Sequence, residues 1–148
     1  MAVADNILIV INTGPDKRYN HFEAYTAAWV ARKFYKVRKV TIMYGPHGVG
    51  MTKKGTLAEF TMTPDVKKLI ASQFEGLKPE KMPDHLEQLA RFEKEKMDIS
   101  IVSCGTYHVV EGFAKGIEDK SNIEDFIDPI NLYESCKLML EADQILYY

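Results

Sequence analysis

Cys104 is the residue whose position most strongly suggests chemistry. The apolar run at residues 98–103 has the pattern of a buried strand, and Cys104 follows it directly. A short helix is predicted from about residue 107 to 115, with Thr106 as its N-cap. Unpaired backbone N–H groups at a helix N-terminus stabilise a nearby thiol as its thiolate. The sequence therefore predicts an exposed, nucleophilic Cys104 with a lowered pKa.

Two neighbouring residues could assist this thiol. His108 lies four positions after Cys104, about one helical turn away, where its ring could pair with the thiolate or relay a proton. Gly105 lets backbone come close to whatever is attached to the sulfur. The alternative interpretation of Cys104 is a small buried hydrophobe, which is common. Its predicted place beyond the strand end, beside a glycine, favours the functional interpretation.

Basic side chains follow the first two predicted strands, in loops that should share one edge of the sheet with Cys104. A positive edge suits an anionic sulfur species or an acidic partner surface. The alternative is that these are ordinary solvated loop residues. The candidate anion- or partner-binding residues are Lys17, Arg18, His47, Lys53, Gly105 and Thr106.

The sequence contains no nucleotide, metal or hydrolase motif. The glycine-rich segment 45–55 has neither the GxxxxGK[ST] nor the GxGxxG spacing, so a mobile surface loop is the favoured interpretation, although Lys53 and Lys54 could hold a small anion. No GxSxG elbow is present. The histidines lack the spacing of metal ligands: His21, His47, His85 and His108. We therefore expect no metal and no organic cofactor.

Cys136 has a different setting from Cys104. It lies within the apolar pattern of the last predicted helix, where packing explains it best. A resolving thiol would need its Cα about 6 Å from that of Cys104, and nothing in the sequence requires this.

Strands and helices alternate along the chain. Predicted strands cover residues 6–12, 40–44, 98–103 and 144–148, and predicted helices cover 19–36, 107–115 and 132–142 and also begin near Thr63 and Pro83. Residues 123–127 could form a strand or a helical turn. This order predicts a three-layer α/β/α fold, flavodoxin-like in broad layout, with a mostly parallel sheet of about five strands.

The apolar spacing also predicts which helix faces are buried. The helix after Thr63 should end near Gly76 and turn four side chains inward: Val66, Leu69, Ile70 and Phe74. The helix after Pro83 should bury Leu86, Leu89 and Ala90. The alternating charges at residues 93–96 are interpreted as a solvated face.

Composition limits the class of protein. The chain has 148 residues, of which 46% are hydrophobic, and a formal net charge of −2. These values predict one domain spanning residues 1–148, and they disfavour nucleic acid as the main partner, since that needs a basic surface. The longest uninterrupted apolar run, residues 7–11, is far too short to cross a membrane, and the N-terminus lacks a secretory pattern. We expect a cytoplasmic protein that does not bind membranes.

The sequence resembles the DsrE/DsrF/TusD family of small sulfur-relay proteins. The resemblance lies in the strand leading to Cys104-Gly105-Thr106, the strand leading to Tyr44-Gly45-Pro46-His47-Gly48, and the closing residues 141–148. It implies a compact α/β subunit that assembles into oligomers, often trimers or hexamers. It also implies that Cys104 matches the cysteine on which sulfur-carrying members hold a persulfide or thiosulfonate. The segment 45–63 looks longer than the family's loop, and His108 matches no family requirement.

These observations favour a cytoplasmic sulfur carrier or sulfurtransferase. It would take sulfur from a donor protein on Cys104 and pass it to an acceptor protein, as a homo-oligomer and without a cofactor. The first alternative is a non-catalytic oligomeric module that binds a small metabolite or partner protein, with Cys104 incidental. The second is a thiol-dependent redox enzyme, which would form a Cys104–Cys136 disulfide on oxidation.

Overall fold

The computed structural model describes residues 3–148. The strands are β1 (Asn6–Ile11), β2 (Lys39–Tyr44), β3 (Ser100–Cys104), β4 (Asp128–Ile130) and β5 (Gln144–Tyr147). The helices are α1 (Arg18–Lys33), α2 (Pro64–Ala71), α3 (Leu86–Met97), α4 (Gly105–Val110) and α5 (Leu132–Glu141). Short 3₁₀ turns lie at Val49–Thr52, Leu57–Glu59 and Pro79–Lys81.

Within residues 3–148, five strands form a parallel sheet in the order β4-β3-β2-β1-β5. β1 pairs along its length with β2, so that Asn6 lies opposite Lys39 and Ile11 opposite Tyr44. Central parallel strands are covered on both faces, which is why β1 and β2 read as continuous apolar runs rather than alternating ones.

The path of the chain explains the layers. From β1 to β4 the chain steps in one direction, and right-handed connections place α1 and α3 on one face of the sheet. α5 then leads back across the sheet to β5, which lies beside β1. Because the chain now runs in the other direction, a right-handed connection places α5 on the opposite face of the sheet. The packing agrees, because the core under α1 and α3 contains Ile9 and Ile42, whereas Leu138 and Met139 of α5 pack against Leu8 and Val10. The predicted three-layer α/β/α fold is confirmed.

A long connection between β2 and α3 carries α2. Thr63 is the N-cap of this helix, as predicted, and its Oγ1 accepts a hydrogen bond from Val66 N at 3.3 Å. The prediction that Val66 and Leu69 point inward is wrong, since Leu69 is 65% exposed and Val66 is also exposed. The helix ends at Ala71, earlier than predicted, because the next backbone hydrogen bonds, from Gln73 to Ile70 and from Phe74 to Ala71, reach back only three residues and form turns.

Helix α3 buries a residue that the sequence pattern assigned to solvent. Glu93 is fully buried, whereas Glu95 and Lys96 are exposed as predicted. Glu93 lies on the same helix face as Leu86 and Ala90, at helical spacing, and this places its carboxyl against the core.

The last third also differs from the prediction in detail. Residues 123–127 contain an isolated antiparallel bridge from Ile123 to Lys53 and a turn, and the strand comes afterwards, as β4. Cys136 is exposed on α5 rather than packed inside. No helix in residues 3–148 is long and apolar enough to span a membrane.

Candidate functional site

Cys104 lies at the carboxyl edge of the sheet, as the last residue of β3 and the N-cap of α4. The predicted N-cap, Thr106, is wrong, because the helix starts two residues earlier and Thr106 lies within its first turn. The strand therefore passes into the helix with no loop between them. The thiol sits at the junction itself, where the backbone of both elements surrounds it.

The Cys104 thiol is only 3% exposed, so the prediction of an exposed sulfur is wrong for the isolated subunit. Burial raises its pKa, although the nearby backbone N–H groups of Tyr107 and Thr106 favour the thiolate and act in the opposite direction. The predicted lowering of the pKa is therefore also wrong. Desolvation outweighs the helix N-terminus, and the resting thiol is protonated at neutral pH.

The side chain of Cys104 faces the α5 side of the sheet. Val102, two residues earlier in β3, packs in the cluster under α5, and side chains two apart in a strand share a face. Consistent with this, a negative charge on Cys136 of α5 would raise the pKa of Cys104 further. The structure thus brings a buried thiol and an exposed thiol into the same neighbourhood.

The backbone after Cys104 is covered by the loop that follows α4. A Cβ placed on Gly105 would lie 2.5 Å from the Ile117 carbonyl oxygen, so only glycine allows this approach. Gly105 therefore serves packing of the covering loop in this conformation.

His108 does not pair with the thiol as expected. Its Nε2 forms a 2.6 Å hydrogen bond with Ser103 Oγ, and its Nδ1 is buried without a hydrogen-bond partner among residues 3–148. Burial lowers the pKa of His108 to about 4, so the ring is neutral at pH 7 and provides no positive charge for a thiolate.

The basic residues of the edge do not converge on Cys104. Lys17 and His47 are exposed. Arg18 donates a 2.7 Å hydrogen bond from Nη2 to the Thr61 carbonyl and lies over the ring of Phe60, so its charge is engaged in packing the β2–α3 connection. Lys53 is the basic residue that approaches α4, since its Nζ lies 4.8 Å from the ring centroid of Phe113, which in turn packs against His108.

The glycine-rich segment has a structural explanation. A Cβ on Gly48 would collide with the Ile11 carbonyl oxygen, so this glycine lets the β2 loop lie against the end of β1. Further along, Gly55 N donates a 2.6 Å hydrogen bond to Glu124 Oε1, and Lys54 Nζ donates to the Ser121 carbonyl at 2.9 Å. The segment is held at both ends rather than shaped to cradle a phosphate.

A cleft beside the loop that covers Gly105 is acidic. It has a volume of about 450 Å³ and lies between the loop that follows α4 and the start of α5. Ile117, which contacts Gly105, and Asn131, which follows the strand partner of Cys104, both line it. The charged residues of its lining are Glu118, Asp119 and Glu134. The pKa of Asp119 is lowered to about 2, mainly because Ser121 and backbone N–H groups donate to its carboxylate. This charge suits a basic group, contrary to the expected anion.

A buried polar group that the sequence analysis missed lies under α1 and α3. Tyr25 and Tyr44 share a 2.6 Å hydrogen bond between their hydroxyls, and both are fully buried. Both carboxylate oxygens of Glu93 lack a hydrogen-bond partner among residues 3–148, and burial raises its pKa well above the usual value. The inward helical spacing of Glu93 with Leu86 and Ala90 was the signal that could have found it.

Among residues 3–148, no group of three or more His, Cys, Asp or Glu side chains is arranged to hold a metal ion.

Comparison with known proteins identifies the fold. No model of a known protein family matches the chain, and no curated protein matches it. Among solved structures, the chain is similar to the crystal structure of the ychN protein from E. coli, with a TM-score of 0.59 and 16% sequence identity. The similarity covers 97% of this chain and 99% of that one. It therefore extends over the whole fold.

Proposed function

We propose that this protein is a sulfur carrier or sulfurtransferase that holds sulfur on Cys104 as a persulfide or thiosulfonate and passes it to a partner protein. The observation that carries the proposal is the position of Cys104 at the carboxyl end of β3 and the N-cap of α4, where the backbone N–H groups of Thr106 and Tyr107 favour its thiolate. Those donors would stabilise the negative charge of a bound persulfide. The three-layer fold and the sequence resemblance to the DsrE/DsrF/TusD family support it.

The transfer needs no cofactor and no net oxidation. The Cys104 thiolate attacks the outer sulfur of a donor persulfide; a new S–S bond forms, and the donor's S–S bond breaks. The donor leaves as a thiolate and takes up the proton that Cys104 has lost. An acceptor thiolate then attacks the outer sulfur on Cys104, which returns to its thiol form.

The burial of Cys104 adds a condition to this proposal. A thiol that is 3% exposed and has a raised pKa reacts only while the residues around it are displaced, so small polysulfide should load it slowly through brief local opening of the folded protein. The covering loop at residues 116–119 borders the acidic cleft, so a partner with basic groups is suited to dock there and displace it. Donor recognition and activation of the thiol would then occur in the same step.

Sulfur loading is tested by intact-mass measurement after incubation of the folded protein with polysulfide. Because Cys136 is exposed and would react by itself, the parent protein is Cys136→Ala. We expect it to gain whole sulfur atoms on Cys104 and to return them to cyanide as thiocyanate. The double variant Cys104→Ala/Cys136→Ala is the matched control and should gain none.

The same experiment separates the rival functions. Sulfur on Cys104 only under denaturing conditions would overturn the carrier function. A Cys104–Cys136 disulfide in the oxidised wild-type protein, seen by non-reducing peptide mapping, would instead support the thiol-dependent redox enzyme.

The second candidate function is a binding module in which Cys104 is incidental. The observation that favours it is the burial of the thiol together with its raised pKa, which is the setting of an ordinary core cysteine. This candidate predicts that Cys104→Ala leaves ligand or partner binding unchanged.

The proposal includes a homo-oligomer. The outer face of α5 exposes large apolar side chains, with Tyr133 at 79% and Leu140 at 87% exposure, and Leu132 is also exposed. Adjacent exposed apolar groups of this size are typical of a surface that is covered in an assembly. A partner subunit on α5 would also lie close to Cys136.

A further inference from the structure

A groove on the face opposite α5 has the character of a small-molecule site. It lies between α1, α3 and the connection that carries α2, and its volume is about 350 Å³, within the usual range for ligand pockets. Because α2 stands off the sheet, the connection forms an outer wall instead of filling the space against the two helices. The groove is separated from Cys104 by the sheet, and its ligand is independent of the sulfur proposal.

The walls of the groove are mostly apolar. The apolar side chains that would contact an occupant are Trp29, Met62, Ile70, Leu77, Leu89 and Phe92. Phe92 is exposed, although it belongs to a helix whose other large apolar side chains are at least half-buried. Burial of this apolar surface would provide the main free energy of binding for an apolar ligand.

Trp29 is held rigidly at one end of the groove. Its ring packs edge-on against Phe34 at 5.3 Å and Phe74 at 4.9 Å between centroids, and those two rings stack on each other at 5.3 Å. Packing on both neighbours fixes the orientation of the indole. A fixed aromatic wall lowers the entropic cost of ordering the site when a ligand binds.

The charge of the groove is positive. Lys33 and Lys81 line it, and its lining contains no aspartate or glutamate among the residues that the structure describes. The Lys33 Nζ lies 5.1 Å from the centroid of the Trp29 ring, so its ammonium is poised beside the apolar wall. An adjoining depression continues past Trp29 and adds Arg32 and Lys96, although it also contains Asp98. The apolar walls and the unbalanced lysines together specify an amphipathic anion.

We propose that this groove binds a small amphipathic carboxylate, of the medium-chain acyl type. The acyl chain lies along Leu77, Leu89 and Phe92, and the carboxylate meets Lys33 and Lys81 at the mouth. The groove fits a small molecule better than a peptide helix or a second copy of the chain, because its volume of about 350 Å³ is too small for a long apolar helix face.

Trp29 is the only tryptophan in the sequence and lines the groove, so its fluorescence reports binding directly. The probe is decanoate, added below its micelle concentration to the full chain, with decanol and decyltrimethylammonium as matched apolar chains. We expect a saturable change in fluorescence with decanoate. Decanol and decyltrimethylammonium should bind at least about 10-fold more weakly, because neither head group carries a negative charge that can pair with the lysines; tenfold corresponds to about 1.4 kcal/mol. Equal affinity for decanol, or no saturation, overturns the proposal.

Variants test the residues. Lys33→Gln/Lys81→Gln should weaken decanoate binding about 10-fold while leaving decanol unchanged. Each single variant, Lys33→Gln and Lys81→Gln, is compared with Lys137→Gln, on α5 across the sheet, which removes the same single charge. Leu89→Asp should abolish binding, with thermal melting checking that the fold is retained. An unchanged affinity in the double lysine variant overturns the proposal. So does a change in Trp29 fluorescence with protein concentration alone, which would identify a second copy as the occupant.

Discussion

Glu93 and His108 are buried titratable side chains whose contributions to stability change with pH in opposite directions. The pKa of His108 falls from 6.5 to about 4 on folding, so the unfolded chain binds the extra proton and stability is lost as the pH falls through this window. Burial raises the pKa of Glu93 above its usual value of 4.5 on folding, so the folded chain holds the extra proton. Its contribution is present at low pH and is lost as the pH rises above 4.5.

Replacing Glu93 should therefore stabilise the protein at neutral and higher pH. Glu93→Gln removes the cost of keeping the carboxyl protonated, and we expect the free energy of unfolding at pH 8 to rise by about 1–3 kcal/mol, with a smaller gain at pH 5. Urea unfolding at both pH values measures this difference. Glu95→Gln, exposed on the same helix, is the matched control. An equal effect at the two pH values would show that Glu93 does not titrate differently in the folded state.

At the scale of elements, the loops that follow β1 and β2 are locked together. Gly48 lies against the Ile11 carbonyl, and the His47 N–H donates a 3.0 Å hydrogen bond to Asn12 Oδ1. These contacts hold the start of the β2–α3 connection over the end of β1. The 3₁₀ turn Val49–Thr52 follows Gly48 directly. Its position therefore depends on the close contact between Gly48 and the Ile11 carbonyl.

A pair of glycine substitutions tests this lock. Gly48→Ala forces a Cβ against backbone, and we expect a loss of about 1–3 kcal/mol in the free energy of unfolding. Gly50→Ala, in the same loop, meets nothing within 4 Å and should stay within about 0.5 kcal/mol of the wild type. Chemical denaturation of both variants makes the comparison. Equal losses would mean that the loop tolerates displacement from β1.

At the scale of the whole molecule, the two faces of the sheet are covered unequally. α1 and α3 cover one face over a large buried cluster, whereas the smaller cluster on the other face lies under α5. The outer side of α5 is apolar and exposed, and so is Tyr147 on the edge strand β5. An assembly through this side would complete the thinner layer.

The proposed assembly is tested by charge insertion on α5. Tyr133→Glu/Leu140→Glu should convert the oligomer to monomers in sedimentation velocity, because two carboxylates would be desolvated at each contact. Tyr19→Glu, at an 82% exposed position on α1, is the matched control and should leave the assembly intact. A monomeric wild type at the same concentration contradicts the proposed homo-oligomer.

The sequence predicted the elements better than their surroundings. The apolar runs at β1, β2 and β3 and the Thr63 cap are local signals, and the structure contains them where expected. The burial of Val66 and Leu69 was wrong because an amphipathic pattern states that one face is apolar but not whether another element covers it. The same limit explains the exposed Cys136.

The candidate site shows where local reasoning ends. The position of Cys104 at the carboxyl edge followed from its place directly after a predicted strand of a parallel sheet, and the structure has it as the last residue of that strand. Its exposure and pKa depend on the loop around Ile117 and on α5, which are distant in sequence and come together only in the fold. Sequence spacing placed His108 near the thiol, but its ring forms a hydrogen bond with Ser103 instead, the residue before Cys104 whose side chain lies on the other face of β3.

The pairing of β5 with β1 has a consequence for synthesis on the ribosome. Asp143, just before β5, accepts hydrogen bonds from the Asp5 and Asn6 backbone N–H groups. The contacts of the first strand are therefore completed only when the last strand of the sheet is in place. During translation the edge of β1 that pairs with β5 stays open until residues 144–147 have emerged. Until then, residues 6–11 present an apolar strand with an unpaired edge, the kind of edge at which chains aggregate.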